Sequence, residues 1–230
     1  MGRSPWSRKY AETADRIGEA LDFMAACGID PETVPQLITE CGMAGVRSVV
    51  VITAGFCEVG PEGAKLERVL LENARRHRVR VIGPNCLGVM RPGVGLNATF
   101  ARGNALPGSL GLVSQSGALC TAMLDWATPN KIGFSSVVSM GASADVDFGE
   151  ILDYLISDSL THSILLYIEG IHDARSFMSS IRAAARIKPV ILVKVGRHAA
   201  ASKAAISHTA SIVGADDAFD AAIRRAGVVR

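Results

Sequence analysis

Aromatic residues and long apolar runs are both scarce in this sequence. Phe, Trp and Tyr together make up only 5% of its 230 residues. No apolar run approaches the roughly 20 residues that a membrane-spanning helix needs, and residues 1–16 are polar, without the apolar core of a signal peptide. A net charge of +2 is too small to indicate a nucleic acid or a membrane as partner. The sequence therefore predicts a globular protein with neither partner.

Recognisable cysteine and glycine motifs are missing as well. The 5 cysteines stand at positions 27, 41, 57, 86 and 120, without CxxC spacing. An odd, scattered set favours a reduced, cytoplasmic protein over a disulfide framework or a zinc site. Neither the GxGxxG fingerprint of dinucleotide binding nor a P-loop occurs in the sequence. A nicotinamide-dependent oxidoreductase is therefore disfavoured.

A regular alternation of strand and helix patterns fills most of the chain. Apolar runs of strand length occupy 46–53, 79–85, 109–115, 132–141, 162–170 and 189–196. Amphipathic helical patterns occupy 10–28, a stretch starting near Thr33, 60–78, 117–130, 147–158, 174–187 and about 215–226. The Gly- and Pro-punctuated stretch 88–108 is interpreted as a connection. This alternation predicts an α/β fold with parallel sheets, in which residues 30–100 supply two strands and residues 109–230 supply four.

The strand-to-helix junctions are the places to look for a ligand, since open α/β sheets bind ligands beyond the carboxyl ends of their strands. Ser114, Gln115, Ser116 and Gly117 form one such junction, at the start of a helix. The free amides and positive dipole end of the helix suit a phosphate group there. A serine that caps the helix without any ligand is the alternative.

Two further junctions carry groups that can act chemically. Glu169 ends an otherwise apolar strand, where its carboxylate either pins a loop or orients a catalytic partner. Asn85 and Cys86 follow the strand at 79–85 in a turn rich in Gly and Pro. The amide of Asn85 is suited to bind a ligand. Cys86 is a candidate nucleophile, but no base stands near it in sequence, which favours a small buried thiol.

Acidic residues cluster at Asp145, Asp147 and Glu150, and a histidine stands at position 208. The acidic cluster fits either a metal site or helix caps, and its position before a helical pattern favours caps. His208 lies between Ser207 and Thr209 rather than on an apolar face. The local sequence leaves a chemical role and a turn or capping role equally open for it.

Several spaced motifs resemble one enzyme family in the same order. They are ITAGFCEVGPEG, GPNCLGVMRPGVGLNATF, PGSLGLVSQSGAL, IGFSSVVSMGASADVDFGEILDYL, ILLYIEGIHDARSF, KPVILVKVGRH and SHTASIVGADDAFDAAIRRAGVVR. These motifs are similar to those of the NDP-forming acyl-CoA synthetases, relatives of the succinyl-CoA synthetase alpha subunit. The resemblance implies a truncated Rossmann-like CoA-binding domain at 33–105 and a flavodoxin-like succinyl-CoA-synthetase-type domain at 106–230. Residues 1–32 form an N-terminal helical segment that resembles a stretch of class II 3-deoxy-heptulosonate-phosphate synthases.

The resemblance also implies a reaction and roles for the residues already named. A carboxylate, CoA and ATP give an acyl-CoA, ADP and phosphate, through a phosphohistidine at His208. Glu169 matches the carboxylate that holds the imidazole tautomer. Residues 114–117 match the helix start that holds the phosphate, and Asn85 and Cys86 match the turn near the CoA thiol and the acyl group.

Partners follow from the same resemblance. An ATP-grasp beta-type subunit or domain is expected to bind ATP or ADP with Mg, and CoA and a small carboxylic acid are the other ligands of an expected oligomer. No metal site is expected in this chain. The sequence departs from the family pattern at Ala142, where Asn is usual, and at Ala210, where Gly is usual, and the opening of the CoA-binding domain is expected to be absent. These departures keep open an alternative, a catalytically impaired CoA- or acyl-CoA-binding or regulatory module.

Overall fold

Strands and helices alternate along most of the chain, except that four strands follow one another between residues 80 and 114. The computed structural model describes residues 29–195 and 216–229. The strands are β1 (Ser48–Val50), β2 (Arg80–Ile82), β3 (Gly88–Arg91), β4 (Leu96–Thr99), β5 (Pro107–Ser114), β6 (Phe134–Ser139), β7 (Ser163–Ile168) and β8 (Val190–Lys194). The helices are α1 (Val34–Met43), α2 (Pro61–His77), α3 (Gly117–Ala127), α4 (Phe148–Ser157), α5 (Ala174–Ile187) and α6 (Asp216–Arg225). The helix predicted at 10–28 lies outside the described residues.

The strands form two sheets. In the larger sheet, the strands that follow β5 in the chain lie on opposite sides of it. The order of this sheet is β4-β3-β6-β5-β7-β8, and β1 pairs with β2 in a separate parallel sheet. Strands β6, β5, β7 and β8 run parallel. Since β6 lies on one side of β5 and β7 on the other, successive crossovers leave in opposite directions, and a crevice opens beyond the carboxyl end of β5.

The smaller sheet is covered by α1 and α2. Val34 and Ile38 of α1 and Leu70 and Ala74 of α2 are buried in one cluster with Val81 of β2. The prediction of helices near Thr33 and at 60–78 is confirmed. The strands predicted at 46–53 and 79–85 are present but shorter, because only three residue pairs align between β1 and β2.

The prediction of a plain connection at 88–108 is wrong. Residues 88–99 form the antiparallel hairpin β3–β4, and β3 also pairs antiparallel with β6. Strand β3 alternates buried and half-buried residues, and its turn is made by Pro92 and by Gly95, which has a φ of 73°. Strands of only four residues between Gly and Pro leave too short an apolar pattern to stand out in the sequence.

Helices cover both faces of the larger sheet. The adjacent residues Leu112 and Val113 of β5 belong to two different buried clusters, as the alternation of a strand requires. Helix α3 supplies Cys120 and Leu124 to the cluster of Leu112. The other cluster takes its side chains from α4, α5 and α6, among them Phe148, Phe177 and Ile223. The α/β fold with parallel strands is confirmed, and the predicted elements from residue 109 onward lie within a few residues of those observed.

A segment between β6 and α4 joins the two sheets. The Arg80 guanidinium donates to Asp145 Oδ2 at 3.0 Å and to both carboxylate oxygens of Glu150 at 2.8 Å. The backbone amide of Val81 donates to the same Asp145 oxygen at 2.8 Å. The amides of residues 142, 144 and 146 donate to the carbonyls of residues 84, 83 and 81. The outer edge of β2 is thereby tied to the loop that follows β6.

Candidate active site

A cavity of about 350 Å³ opens beyond the carboxyl end of β5. The loops after β5, β6 and β7 line it, together with the turns that follow β1 and β2 in the smaller sheet. Its lining residues are Cys57, Glu58, Asn85, Gln115, Ser116, Gly117, Ala118, Gly141, Ala142, Glu169 and His172. The cavity therefore lies where the strand order predicts a ligand crevice.

The start of α3 forms one wall of this cavity. Ser116 has an extended backbone, and its hydroxyl accepts a hydrogen bond from the amide of Leu119. It therefore caps the helix, which is one of the two roles that the sequence predicted for this junction. The amides of Gly117 and Ala118 have no partner within the helix because they belong to its first turn. Both residues line the cavity, so they offer two N–H groups and a positive helix end to an anion. Capping and anion binding are compatible here.

Gln115 is buried at the end of β5, with only 8% of its surface exposed. Its side-chain oxygen accepts from the amides of Glu169 and Gly170 at 2.7 and 3.0 Å. Its side-chain nitrogen donates to the Ser143 hydroxyl at 3.3 Å. The oxygen of the Gln115 amide is thus held by the loop after β7, and one of its two N–H groups by the loop after β6.

Glu169 and Asn85 both reach the cavity, on different loops. Glu169 follows β7 directly and is half-buried. Asn85 is exposed, and its positive φ of 55° turns the chain after Pro84. The backbone amide of Asn85 donates to the Thr53 carbonyl at 3.0 Å, which connects the turns after β1 and β2. The structure thus brings five predicted site residues to one cavity: Asn85, Gln115, Ser116, Gly117 and Glu169.

Two other predicted site residues do not line the cavity. Ser114 is fully buried, and its hydroxyl donates to the Ser116 carbonyl and accepts from the Ser116 amide. The thiol of Cys86 is buried and donates to the Val51 carbonyl at 3.4 Å. Burial raises the pKa of Cys86 to about 12, so its thiol stays protonated at neutral pH. The reading of Cys86 as a small buried thiol is confirmed.

The acidic cluster also has structural partners. Asp147 caps α4 by accepting from the Glu150 amide, and Asp145 and Glu150 accept from Arg80. The preference for caps over a metal site is thus confirmed for Asp147. Within residues 29–195 and 216–229, no group of three or more His, Cys, Asp or Glu residues could hold a metal ion.

Most of the cavity residues that the sequence did not single out come from the turn after β1 and from the loop after β6. Cys57 and Glu58 lie in the turn after β1, and Glu58 accepts from the amides of Gly55 and Phe56. Burial, and then the neighbouring Glu67 carboxylate, raise the pKa of Cys57 to about 12. Two signals were available for these residues: the GFCEVG turn follows a strand, and it lies within the family-like motif ITAGFCEVGPEG.

The loop after β6 adds Gly141 and Ala142 to the cavity wall, and the loop after β7 adds His172. His172 is exposed and borders the cavity, with its Nε2 atom 3.1 Å from the Ala142 carbonyl. The predicted nucleophile His208 lies outside the described residues, as does Ala210.

Comparison with known families gives two matches along this chain. Residues 107–230 match the family described as the succinyl-CoA ligase like flavodoxin domain. Residues 5–92 match the family described as the CoA binding domain. The second match includes most of the segment at 1–32, and neither match supports its resemblance to class II 3-deoxy-heptulosonate-phosphate synthases.

Individual relatives agree with these matches. The alpha subunit of acetate–CoA ligase [ADP-forming] I of Pyrococcus furiosus is 44% identical over 207 residues, which is 90% of this chain and 45% of the relative. The 4-hydroxybutyrate–CoA ligase [ADP-forming] of Nitrosopumilus maritimus is 35% identical over 98% of this chain and 32% of its own length. A solved structure of the dinucleotide-forming acetyl-coenzyme A synthetase 1 of Candidatus Korarchaeum cryptofilum, with phosphate and ADP, superposes with a TM-score of 0.83 and 38% identity over 87% of this chain and 43% of that one.

This chain therefore spans less than half the length of these relatives. In the part of the chain that the structure describes, no helix combines the length and apolar character needed to cross a membrane.

Proposed function

We propose, because this chain belongs to the family of the succinyl-CoA ligase like flavodoxin domain, that it is a subunit or part of an NDP-forming acyl-CoA synthetase. The overall reaction converts a carboxylate, CoA and ATP into an acyl-CoA, ADP and phosphate. The relatives named for acetate and 4-hydroxybutyrate support a small carboxylic acid as the substrate.

One observation carries this proposal: a helix start and a carboxylate face the same cavity. The amides of Gly117 and Ala118 can donate hydrogen bonds to the oxygens of a phosphoryl group, which carry negative charge during transfer. Glu169 lines the same cavity, and its carboxylate suits a group that develops positive charge. Asn85 adds an amide for the acyl phosphate or the CoA end. Such a combination suits a cationic phosphohistidine better than it suits a free phosphate alone.

In the proposed reaction, His208 receives the γ-phosphoryl group of ATP and passes it to the substrate carboxylate. The imidazole nitrogen attacks phosphorus, an N–P bond forms, and the P–O bond to ADP breaks. A carboxylate oxygen then displaces the imidazole to give an acyl phosphate. The CoA sulfur attacks the acyl carbon, a C–S bond forms, phosphate leaves, and the thiol proton goes with it. While one imidazole nitrogen attacks phosphorus, the Glu169 carboxylate accepts a hydrogen bond from the N–H of the other nitrogen.

Several parts of the cycle belong to other molecules or to the rest of the protein. We assign ATP, ADP and their Mg to an ATP-grasp beta-type subunit or domain, as expected for an assembly whose relatives include alpha subunits. CoA is assigned to the side of the cavity formed by the CoA-binding domain. A cytoplasmic location fits these substrates. The division into units at 33–105 and 106–230 stands as part of this proposal, with β3 and β4 contributed to the sheet of the second unit.

The geometry supports a finer proposal for the roles of individual residues. Gly117 and Ser116 are proposed to contact the phosphoryl group, whereas Ser114 holds the shape of the same loop through its hydroxyl. Cys86 is proposed to pack beneath the cavity rather than to bind CoA through sulfur, because its thiol is directed to the Val51 carbonyl.

The proposal is tested without a partner subunit by running one half-reaction backward. The chain is incubated with acetyl phosphate labelled with ³²P, and the label on protein is measured after acid and after base. We expect label that acid removes and base preserves, because phosphohistidine has that stability. His208→Ala is expected to abolish the label, and Glu169→Gln to slow it about 100-fold or more.

Absence of label on the wild-type chain, while the same preparation binds CoA in calorimetry, would contradict the proposal. That outcome would favour the alternative of a CoA- or acyl-CoA-binding regulatory module, which Ala142 and Ala210 keep open. Label that persists in His208→Ala would move the phosphorylation to another residue.

A further inference from the structure

A buried amide group ties the three cavity loops together. Gln115 directly follows β5, and its backbone amide donates to the Tyr167 carbonyl of β7 at 3.2 Å. Its side chain then reaches the loop after β7 through two amides and the loop after β6 through Ser143. Each of these loops presents residues to the cavity: Ser116 and Gly117, Gly141 and Ala142, Glu169 and His172.

The chemistry of these contacts requires an acceptor and a donor on one side chain. Two consecutive N–H groups, those of Glu169 and Gly170, converge on one oxygen, and Gly170 is buried. An apolar residue at position 115 would leave both N–H groups without that acceptor, which buried amides tolerate poorly. The Ser143 hydroxyl, which is 5% exposed, would lose its donor.

We propose that Gln115 is a positioning residue, which sets the place of Glu169 relative to the start of α3, rather than a residue that binds the phosphoryl group. This inference rests on the proposed function of the cavity. The oxygen of the Gln115 amide accepts two hydrogen bonds within the protein and one of its two N–H groups donates to Ser143, whereas the amides of Gly117 and Ala118 lie at the start of the helix, without a partner inside it. Glu169 depends on Gln115 because its own backbone amide is held there.

The distance between the carboxylate and the phosphoryl site decides how well the imidazole is oriented. A displacement of about 1 Å at a reacting group can cost about 100-fold in rate. Loss of the Gln115 contacts frees the backbone of residues 169–170, so the maximal rate falls. Binding of the phosphoryl donor is left to the helix start, so its KM does not change.

Two substitutions separate positioning from direct binding. Gln115→Met keeps the volume and removes the polar group. Gln115→Glu keeps an oxygen for the two amides, and its second oxygen can accept from Ser143, whose hydroxyl can rotate to donate. Positioning therefore predicts that the acetyl phosphate labelling rate falls about 100-fold in Gln115→Met and largely recovers in Gln115→Glu. Direct contact with a phosphate predicts the reverse order, because the new carboxylate would repel the anion.

Ser135→Ala is the matched control. Ser135 is buried and shares a hydrogen bond of 2.7 Å with Thr161, near the opposite end of the strands. It tests what the loss of a buried polar contact does to the fold without touching the cavity loops. We expect its labelling rate and KM to equal those of the wild type, at a similar loss of unfolding free energy.

Hydrogen exchange at the amides of residues 169 and 170 completes the test independently of any activity. Gln115→Met is expected to speed exchange there at least tenfold, and Ser135→Ala to leave it unchanged. Unchanged exchange in Gln115→Met overturns the inference even if the chain has no phosphoryl activity. A raised KM with an unchanged maximal rate overturns it in favour of direct binding. Absence of label on the wild type contradicts only the proposed function.

Discussion

Gly141 shows how a single backbone position shapes the cavity. It has a φ of 54°, in the region that favours glycine. A Cβ atom there would lie against the carbonyl oxygens of Pro84 and Asn85. The residue therefore lets the loop after β6 pack directly on the turn that carries Asn85.

Gly141→Ala is expected to destabilise the protein more than Gly95→Ala does. Both positions have a positive φ, but an added Cβ at Gly95 meets nothing within 4 Å. The strained backbone costs about 1–3 kcal/mol at either position, and only Gly141→Ala also displaces the turn at 84–85. Urea unfolding of the two variants measures the difference. Equal losses would show that the turn moves aside without cost.

Sequence and structure agree on these residues to different degrees. The capping role of Ser116 follows from local rules, because an N-cap depends only on the residues beside it. The occupation of the Gln115 amide depends on loops after β6 and β7, which no local pattern specifies. Cys57 and Glu58 were missed for the same reason, since the smaller sheet must fold against the larger one before they meet the cavity.

At the scale of elements, the hairpin β3–β4 is held by an ion pair at the far end of the sheet. The guanidinium of Arg91 in β3 donates to both oxygens of Asp158, at 2.7 and 3.2 Å, and lies over the ring of Tyr154. The Asp158 side chain, which directly follows α4, is only 5% exposed and also accepts from the Thr161 hydroxyl. The pair joins β3 to the C-terminal end of α4.

Stability is expected to depend on pH through Asp158. Burial favours the neutral acid, but hydrogen bonds from Arg91 and Thr161 outweigh it and hold the pKa of Asp158 below its usual value. A lowered pKa in the folded state gives stability that is complete above the unfolded pKa of about 3.9 and is lost as the pH falls through the folded value. Asp158→Asn should therefore lose about 3 kcal/mol at pH 7, and less at pH 3.

Unfolding by urea at several pH values measures this difference. Glu62→Gln is the control, because Glu62 pairs with Lys65 on the surface with 85% of its side chain exposed, and such pairs contribute less than about 1 kcal/mol. A loss in Asp158→Asn that stays constant from pH 7 to pH 3 would contradict the assignment.

Some helices and strands were predicted from the sequence more accurately than others. Helix α5 was predicted at its observed bounds, since Asp173 caps it and its buried residues recur at helical spacing. Strands β7 and β8 were clear because each is an unbroken run of mostly apolar residues of strand length, although only alternate residues are fully buried. The hairpin was missed because each of its strands has four residues and its pairing with β6 is distant in sequence.

At the scale of the whole molecule, hydrogen bonds join the smaller sheet to the segment between β6 and α4. Asp145 is the centre of them, since one carboxylate oxygen accepts from both Arg80 and the Val81 amide. Removal of this carboxylate should loosen the smaller sheet while the larger sheet keeps its own core.

Asp145→Ala is expected to speed hydrogen exchange about tenfold at residues 81–82 and 144–146, because a hydrogen bond to a charged group contributes about 1.5–3 kcal/mol. The central strands β5 and β7 should keep their protection. Asp173→Ala is the matched control. Asp173 also accepts hydrogen bonds from two backbone amides, but these belong to α5, which packs on the larger sheet. Equal acceleration across both sheets would show that the two units open together.

The overall architecture was the part that the sequence predicted best. Alternating strands and helices permit few topologies, because crossovers between parallel strands are right-handed and short. The resemblance to a family implied a flavodoxin-like domain, but the strand order that places β5 between β6 and β7 follows from no local pattern and was not predicted. The relation between the two sheets depends on side chains such as Arg80, whose partners lie in another element.

The position of β3 in the sheet has a consequence for how the protein is made. Strand β3 leaves the ribosome before β6, its neighbour in the sheet, and α3 is synthesised in between. Until β6 arrives, one edge of the nascent hairpin has unpaired backbone groups, which can pair with another chain. The interval between these two strands is therefore the stage of translation at which a chaperone would benefit this protein most.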